Sequence, residues 1–206
     1  MAKLLVIICS FFSMVNFAST WKFVSEKNGI KLYNGVTKSS ILPFKAEAVI
    51  DAPIEDIYNT LMDWRRKHEW SPKLKNVRLH EKVNEENFIF SEFYSTPWPA
   101  TDREFLLNGR ILKHKNGNFS LSAKSVTSIN LISKYKSEDH VQADVNRLVF
   151  KAFKLSPVRT KISFVFMGDI KGWIPNWLSN IIQKKWPLRF IEAMRYRLAS
   201  GFEKNT

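Results

Sequence analysis

The alternation of apolar and polar residues along the chain predicts a series of β-strands. Phe44–Ile50 alternates large and small apolar residues with Lys45 and Glu47, which is typical of a strand with one face directed inward. "NG" at 28–29, "NEEN" at 84–87 and "HKNGN" at 114–118 favour tight turns. The other strand segments are two short ones within Trp21–Val36, then Val77–Val83, Phe88–Tyr94, Arg103–Leu112, Phe119–Ser125, Val141–Phe150 and Lys161–Asp169. We therefore expect one antiparallel sheet.

A first helix is predicted directly after Phe44–Ile50. Asp51 is the expected N-cap, and Pro53 is tolerated in the first turn. One face of this helix is apolar and carries Ile54, Ile57, Tyr58, Leu61 and Met62.

A longer helix is predicted near the C-terminus, between Pro175 and Gly201. Pro187 is expected to kink it, because proline removes a hydrogen bond and crowds the preceding turn. An apolar stripe at helical spacing, more often a core contact than a ligand-binding wall, consists of Ile182, Trp186, Phe190, Met194 and Leu198. The order of elements predicts an α+β fold, in which the long helix covers the concave face of a curved antiparallel sheet and leaves room for an internal cavity.

A secretory signal peptide is the expected role of residues 1–19. A short basic start precedes the almost wholly apolar run Leu4–Phe17, and two small residues follow. An uncleaved N-terminal anchor is the alternative, although the run is short for a membrane-spanning helix. Cleavage would remove Cys9, the one cysteine, so the mature domain at 21–203 would hold no disulfide. We expect that domain to be periplasmic or secreted, with no metal and no cofactor.

The composition is that of a globular domain rich in aromatic residues, with 16 Phe and 7 Trp among 206 residues. Aromatic side chains line ligand pockets, and they equally fill cores. The net charge is +13, and it becomes +12 when Lys3, the one charged residue of the first twenty, is removed. For an exported protein this charge favours transient contact with anionic membrane lipids over nucleic acid. A generally solvated basic surface is the alternative.

Three segments share the pattern of one known family. "FKAEAVIDAPIEDIYNTLMDWRRKHEWSP" at 44–72 gives a strand, a capped helix and a tryptophan. "TPWPATDREFLL" at 96–107 resembles a Trp-Pro…Asp-Arg-Asp-Phe signature, and "DIKGWIPNWLSN" at 169–180 resembles an Asp-x-x-Gly-Trp-x-Pro signature. In order and spacing the three resemble the START domain, the steroidogenic-acute-regulatory-protein-related lipid-transfer domain. The resemblance extends over Trp21 to about Phe202 and suggests a single-domain, bacterial-type secreted member.

The resemblance implies a helix-grip fold of the START/Bet v 1-like kind and a monomer. It also implies a hydrophobic tunnel, closed by the last helix and an omega loop, that holds one lipid-like molecule and transfers it between membranes. Ser95–Thr101 is then the expected omega loop, with Trp98 as a plug or a membrane-contacting residue; packing of Trp98 on the sheet edge is the alternative. The expected ligand-binding residues are Glu92, Tyr94, Trp98, Arg103, Phe105, Leu107, Phe119, Leu121, Phe164, Phe166, Ile182, Trp186, Phe190, Met194 and Leu198.

Arg103 has two interpretations. Strand alternation places it beside Phe105 at one end of an apolar wall, where Glu92 is the expected partner because an unpaired buried charge is costly. Alternatively, Asp102 and Arg103 form a pair that fixes the loop. Several relatives in the family place a second arginine six residues beyond the first; that position is Gly109 in this chain, so we expect a more apolar ligand to fit.

An enzyme and a non-transferring lipid sensor are the alternative functions, since the same grip architecture hosts cyclases that act on polyketides. His68, His80, His114 and His140 are scattered along the chain. The sequence motifs of zinc helices, nucleophile elbows and phosphate-binding loops are absent from it. Glu92 in an apolar cavity is the best candidate for a general base. We expect a carrier rather than an enzyme, with sterols, phospholipids, fatty acids and isoprenoids all open as ligands.

Overall fold

The computed structural model describes residues 21–35, 43–174 and 176–201, so the predicted signal peptide lies outside the described residues. The strands are β1 Trp21–Lys27, β2 Ile30–Gly35, β3 Phe44–Ile50, β4 Leu74–Lys82, β5 Asn87–Tyr94, β6 Arg103–Lys113, β7 Phe119–Ser125, β8 Val141–Gln142, β9 Asp144–Ser156 and β10 Arg159–Asp169. The helices are α1 Ile54–Met62, α2 Lys67–Trp70, α3 Ile129–Tyr135 and α4 Asn176–Ala199.

All ten strands belong to one sheet, in the order β1-β2-β3-β10-β9-β7-β6-β5-β4 with β8 beside β6. Every pair is antiparallel except β8 with β6. The sheet curves around α4, and α1 and α2 also contact that helix. The predicted α+β helix-grip architecture is therefore confirmed.

The C-terminal half of α4 is fixed to the sheet by packing and by hydrogen bonds. Ile191 and Met194 are completely buried. The Arg195 guanidinium donates to the main-chain oxygen of Asn28 at 2.6 Å and to that of Val49 at 2.8 Å. These bonds tie the last turns of the helix to the β1–β2 turn and to the end of β3. The helix continues through Pro187, and its predicted start at Pro175 lies outside the described residues.

The predicted capping of α1 is wrong, whereas its predicted apolar face is confirmed. The helix begins at Ile54 with Pro53 in the cap position and no side-chain capping bond. Asp51 instead pairs with Arg159, whose Nε lies 3.1 Å from its carboxylate. Ile54 and Ile57 are buried in the core. Because the helix begins at Ile54, Asp51 lies two residues before the cap position and does not cap it.

The segment predicted as one strand at Val141–Phe150 forms two. β8 pairs with β6, and β9 pairs with β7 and β10. The chain changes partner at Ala143, which is fully buried and whose N–H donates to the Glu104 main-chain oxygen. Helices α2 and α3 have no signal in the sequence, because elements of four and seven residues are too short to show a helical period.

Candidate functional site

A cavity of about 280 Å³ lies between the concave face of the sheet and α4. Its wall is largely apolar. Ten of the residues expected from the sequence are brought together on that wall: Glu92, Tyr94, Arg103, Phe105, Leu107, Leu121, Phe164, Phe166, Trp186 and Phe190.

The pairing of β5 with β6 sets one side of the cavity. Glu92 pairs with Phe105, and Tyr94 pairs with Arg103. Because successive side chains alternate between the two faces of a strand, these four point toward α4 while Glu104 points away. The predicted alternation of β6 thus places Arg103 at one end of an otherwise apolar row.

Aromatic side chains close the opposite side. The Trp186 ring of α4 stacks on Phe190 at 5.3 Å between centroids, and it lies 5.8 Å from Phe164 of β10. Phe44 of β3 stacks on Phe166 at 5.3 Å. This cluster joins helix to sheet and supplies an apolar surface with defined shape.

A buried ion pair occupies one end of the cavity. The Lys67 ammonium lies 2.6 Å from one Glu92 carboxylate oxygen, and the Tyr94 hydroxyl donates to the other at 2.7 Å. The Lys67 and Glu92 side chains are only 12% and 8% exposed. Burial raises the pKa of Tyr94 well above its usual value, and the Glu92 charge raises it further, so the phenol remains a hydrogen-bond donor. The predicted pairing of Glu92 with Arg103 is therefore wrong.

Arg103 binds main-chain oxygens instead of a carboxylate. Its guanidinium donates to the oxygen of Ile170 at 3.3 Å, of Lys171 at 3.0 Å and of Trp173 at 3.2 Å, and also to that of Thr101. The side chain is buried, and several carbonyl dipoles replace water around its charge. Arg103 therefore links the loop before β6 to the loop between β10 and α4.

Asp102 fixes the preceding loop through other partners. Its carboxylate accepts the Thr96 N–H at 2.8 Å and pairs with Lys75 at 2.9 Å. The alternative prediction, an ion pair between Asp102 and Arg103, is thus wrong. Both residues nevertheless fix the loop, each through other partners. Trp98, in the middle of this loop, is 90% exposed, so packing on the sheet edge is also wrong.

Four other predicted residues lie away from the cavity wall or cannot be placed. Phe119 is buried edge-on against Tyr58, and Met194 of α4 is buried in the core. Leu198 packs on the outside of the core cluster. Ile182 lies on α4, but its side chain is outside the described part of the chain.

Several wall residues were missed. Phe90 and Phe150 share the cavity face of predicted strands and could have been found by extending the alternation. Lys67 could not, because α2 carries no periodic signal and lies 25 residues from Glu92. The further missed wall residues are Phe44, Leu61, Trp64, Pro72, Lys73, Ser95, Thr96, Pro97, Val145, Leu148, Ile170, Ile174 and Arg189.

Gly109 stands where two phenylalanine rings fill the space. A Cβ at this position would lie 2.9 Å from Cε1 of Phe90 and closer still to Phe88. Trp64 packs on both rings, with centroids 5.0 Å apart. A larger side chain at Gly109 therefore cannot enter the cavity unless these rings move.

A serine, a histidine and a glutamate meet on the outer face of the sheet. The Ser91 hydroxyl donates to Glu104 at 2.6 Å and lies 2.8 Å from Nε2 of His80. Both Ser91 and Glu104 are completely buried. In a hydrolytic triad the histidine stands between the other two and the serine is accessible. This order is different, so we interpret the cluster as structural. Among the described residues, no group of acidic, histidine or cysteine side chains could hold a metal ion.

Comparisons with known proteins agree with this geometry. The model of the START domain family matches residues 13–200. The mitochondrial steroidogenic acute regulatory protein of Danio rerio is 26% identical over 180 residues, which cover 86% of this chain and 63% of that protein. The chain thus spans a little under two thirds of the length of this curated relative.

Two solved structures show the same fold. The human StAR-related lipid transfer protein 5 superposes with a TM-score of 0.77 at 14% identity, covering 88% of this chain and 87% of that one. The STAR-related lipid transfer protein of Xanthomonas axonopodis gives a TM-score of 0.73 at 20% identity, covering 87% and 98%. No helix in the described part of this chain is long and apolar enough to cross a membrane.

Proposed function

The chain belongs to the START domain family, and on that premise we propose that it binds one lipid-like molecule beneath α4 and transfers it between membranes. The observation that carries the proposal is the cavity, whose wall is apolar except at the end that holds Lys67, Glu92, Tyr94 and Arg103. Such a pocket matches a ligand with a long apolar body and one polar end.

The apolar wall supplies the affinity. Burial of sixteen methylene groups contributes about 13 kcal/mol before the costs of binding, at about 0.8 kcal/mol each. A polar group on the ligand has to find a partner, because a buried unsatisfied one costs about 1–3 kcal/mol. The Lys67–Glu92–Tyr94 cluster and the loop hydroxyls offer such partners at one end of the cavity.

Entry and release are proposed to occur where the loop 95–102 meets the loop 170–174. Arg103 joins these loops through main-chain oxygens, and Trp98 projects from the first of them. We propose that Trp98 and nearby lysines contact an anionic membrane surface while the loops separate. Export through the predicted signal peptide and a monomeric state are part of the same proposal.

Lipid binding is tested by native mass spectrometry of protein purified from its own host, followed by organic extraction and a liposome transfer assay. We expect a discrete co-purifying lipid and uptake of labelled lipids. Leu148→Trp, on the cavity wall, should abolish uptake because the indole fills the cavity. Leu155→Trp, on the exposed end of the same strand, is the matched control. A protein that is empty and takes up no labelled lipid would refute the proposal, and uptake without transfer would indicate a sensor.

We propose no enzymatic role for Glu92. Both of its carboxylate oxygens already accept hydrogen bonds, from Lys67 and from Tyr94. A general base has to come within hydrogen-bond reach of the substrate proton, and here the Lys67 ammonium and the Tyr94 hydroxyl stand against the two oxygens of Glu92. Once a ligand is known, it should be recovered chemically unchanged after incubation with the wild-type protein, and equally so after incubation with Glu92→Gln.

A further inference from the structure

Positive charges outnumber negative ones on the wall of the cavity, whose polar end holds Lys67, Glu92, Tyr94 and Arg103. Among the described wall residues, four are cationic, Lys67, Lys73, Arg103 and Arg189, whereas Glu92 is the one carboxylate. We propose that this end is a binding site for an anionic group, so that the ligand is a single-chain amphiphile ending in a carboxylate or a phosphate. This inference rests on the proposed lipid-binding function and specifies its ligand class.

The carboxylates near this end are already engaged. Glu92 accepts hydrogen bonds from Lys67 and Tyr94, and Asp102 accepts them from Lys75 and the Thr96 N–H. A ligand with a cationic head group would therefore have to share Glu92, the one carboxylate of the described wall, with Lys67 and Tyr94. It would also meet the charge of Lys73 and Arg189.

Lys73 and Arg189 are the cations left available. Both residues line the cavity, and both are exposed to solvent. Neither forms an ion pair within the residues that the structure describes. Lys67 and Arg103, by contrast, are already engaged by Glu92 and by main-chain oxygens. Lys73 and Arg189 can therefore meet an incoming carboxylate or phosphate, and the guanidinium can do so with two parallel hydrogen bonds.

The backbone holds Lys73 in an unusual conformation. Its φ is 65°, in the left-handed region that favours glycine and asparagine. Its main-chain oxygen accepts the Ser95 N–H at 2.9 Å, which ties it to the start of the 95–102 loop. This bond fixes the backbone of Lys73 beside the loop, at the cavity wall.

The size of the cavity limits the apolar part of the ligand. About 280 Å³ is just below the usual range of ligand pockets, which is about 300 to 1,000 Å³. One chain fits this space better than the two chains of a phospholipid. The apolar wall away from the charges, with Leu107, Leu121 and Phe150, suits a hydrocarbon tail.

The test compares three probes that share one chain: hexadecanoic acid, hexadecyl phosphate and hexadecanol. Each displaces Nile red, a neutral reporter, from the mature protein at pH 7.4. We expect at least one of the two anions to bind tenfold or more tightly than the alcohol. The anion that binds more tightly then identifies the head group as a carboxylate or a phosphate.

The double variant Lys73→Glu/Arg189→Glu should lose this preference and keep its affinity for hexadecanol within about twofold. Lys115→Glu/Lys154→Glu changes the net charge equally on exposed residues that are not on the cavity wall, and it should keep the preference. Equal affinities for acid, phosphate and alcohol would overturn the anionic site but leave the carrier intact. Loss of the preference in both double variants would also overturn it. Failure to bind Nile red or any probe would remove the proposed function as well.

Discussion

The Nζ of Lys67 lies 2.6 Å from Oε1 of Glu92, and this contact joins α2 to β5 across the end of the cavity. The family resemblance implies, for several relatives, a second arginine deeper in the tunnel, six residues after the first. In this chain that position is Gly109, beneath the rings of Phe88 and Phe90. The cation next to the cavity carboxylate therefore comes from a short helix rather than from the sheet.

Removal of Lys67 should destabilise the protein strongly. Lys67→Met leaves the Glu92 carboxylate buried with Tyr94 as its remaining partner, and breaking a buried pair costs about 3 kcal/mol or more. The double variant Lys67→Met/Glu92→Gln should recover most of that loss, because no uncompensated charge remains. Urea unfolding measures both. Glu86→Gln, which breaks an exposed pair with Arg110, should cost less than about 1 kcal/mol. Equal losses for the two single variants would contradict the importance of burial.

Substitution of Gly109 by a larger residue should destabilise the protein through overpacking. Gly109→Ala places a methyl group against Phe88, whose ring is held by Trp64 and Phe90. We expect a loss of about 1–3 kcal/mol, which is typical of an added methyl group in a filled core. Phe88→Leu in the same chain should restore part of the loss by making room. A Gly109→Ala variant as stable as the wild type would show that the rings move easily.

Trp98 should contribute to transfer and hardly at all to stability. Its side chain is 90% exposed, so Trp98→Ala should change the free energy of unfolding by less than about 0.5 kcal/mol. Transfer of labelled lipid between anionic liposomes should slow several-fold. Ile129→Ala, at an apolar residue of α3 that is 79% exposed, is the control and should leave transfer unchanged. Unchanged transfer in Trp98→Ala would remove the proposed membrane contact.

Strand alternation was sufficient to predict one wall of the cavity but not which inward positions border it. Leu121 and Phe119 both face inward on β7, yet Leu121 lines the cavity and Phe119 packs against Tyr58. The cavity is the volume that side chains from distant elements leave unfilled. A period along one strand contains no information about that volume.

The partners of the charged residues could not be predicted for the same reason. The oxygens that Arg103 binds beyond β10 lie 67 to 70 residues away, in a loop without periodicity. Every residue has a main-chain oxygen, so a sequence does not show which of them an arginine will bind. A carboxylate partner such as Glu92 can be proposed from the sequence, and that is why Glu92 was expected. The family resemblance identified the fold and the loops, and the contacts of this chain had to come from its structure.

Arg103 should control the loops that it joins. Arg103→Met removes the hydrogen bonds that the guanidinium donates to main-chain oxygens of both loops, and we expect a loss of about 1–3 kcal/mol in stability. Amide hydrogen exchange should accelerate in residues 95–102 and 170–174 more than elsewhere. Arg110→Met, on the same strand but exposed, is the matched control. Uniformly faster exchange along the whole chain would indicate general destabilisation instead of a local link.

His80 should make stability depend on pH below neutrality. Burial lowers the pKa of His80 from its ordinary 6.5, and Arg78 lowers it further, while Glu104 and Glu81 oppose the shift. Because the Ser91 hydroxyl gives its hydrogen to Glu104, Nε2 of His80 has to donate to the Ser91 oxygen, and the neutral ring suffices for that bond. Tyr135 stacks on the same ring at 4.3 Å.

Since the folded state binds this proton less readily than the unfolded state, the free energy of unfolding falls as the pH drops from about 6.5 through the lower folded pKa. The loss sets in as the pH falls through about 6.5 and is complete below the folded pKa, and this is the range in which it should be measured. Urea unfolding at several pH values should give a shallower dependence for His80→Gln than for the wild type. His114→Gln, at an exposed histidine, should retain the wild-type slope. If His80→Gln also keeps the full slope, the dependence comes from other groups, and the His80–Ser91–Glu104 cluster does not respond to pH in this range.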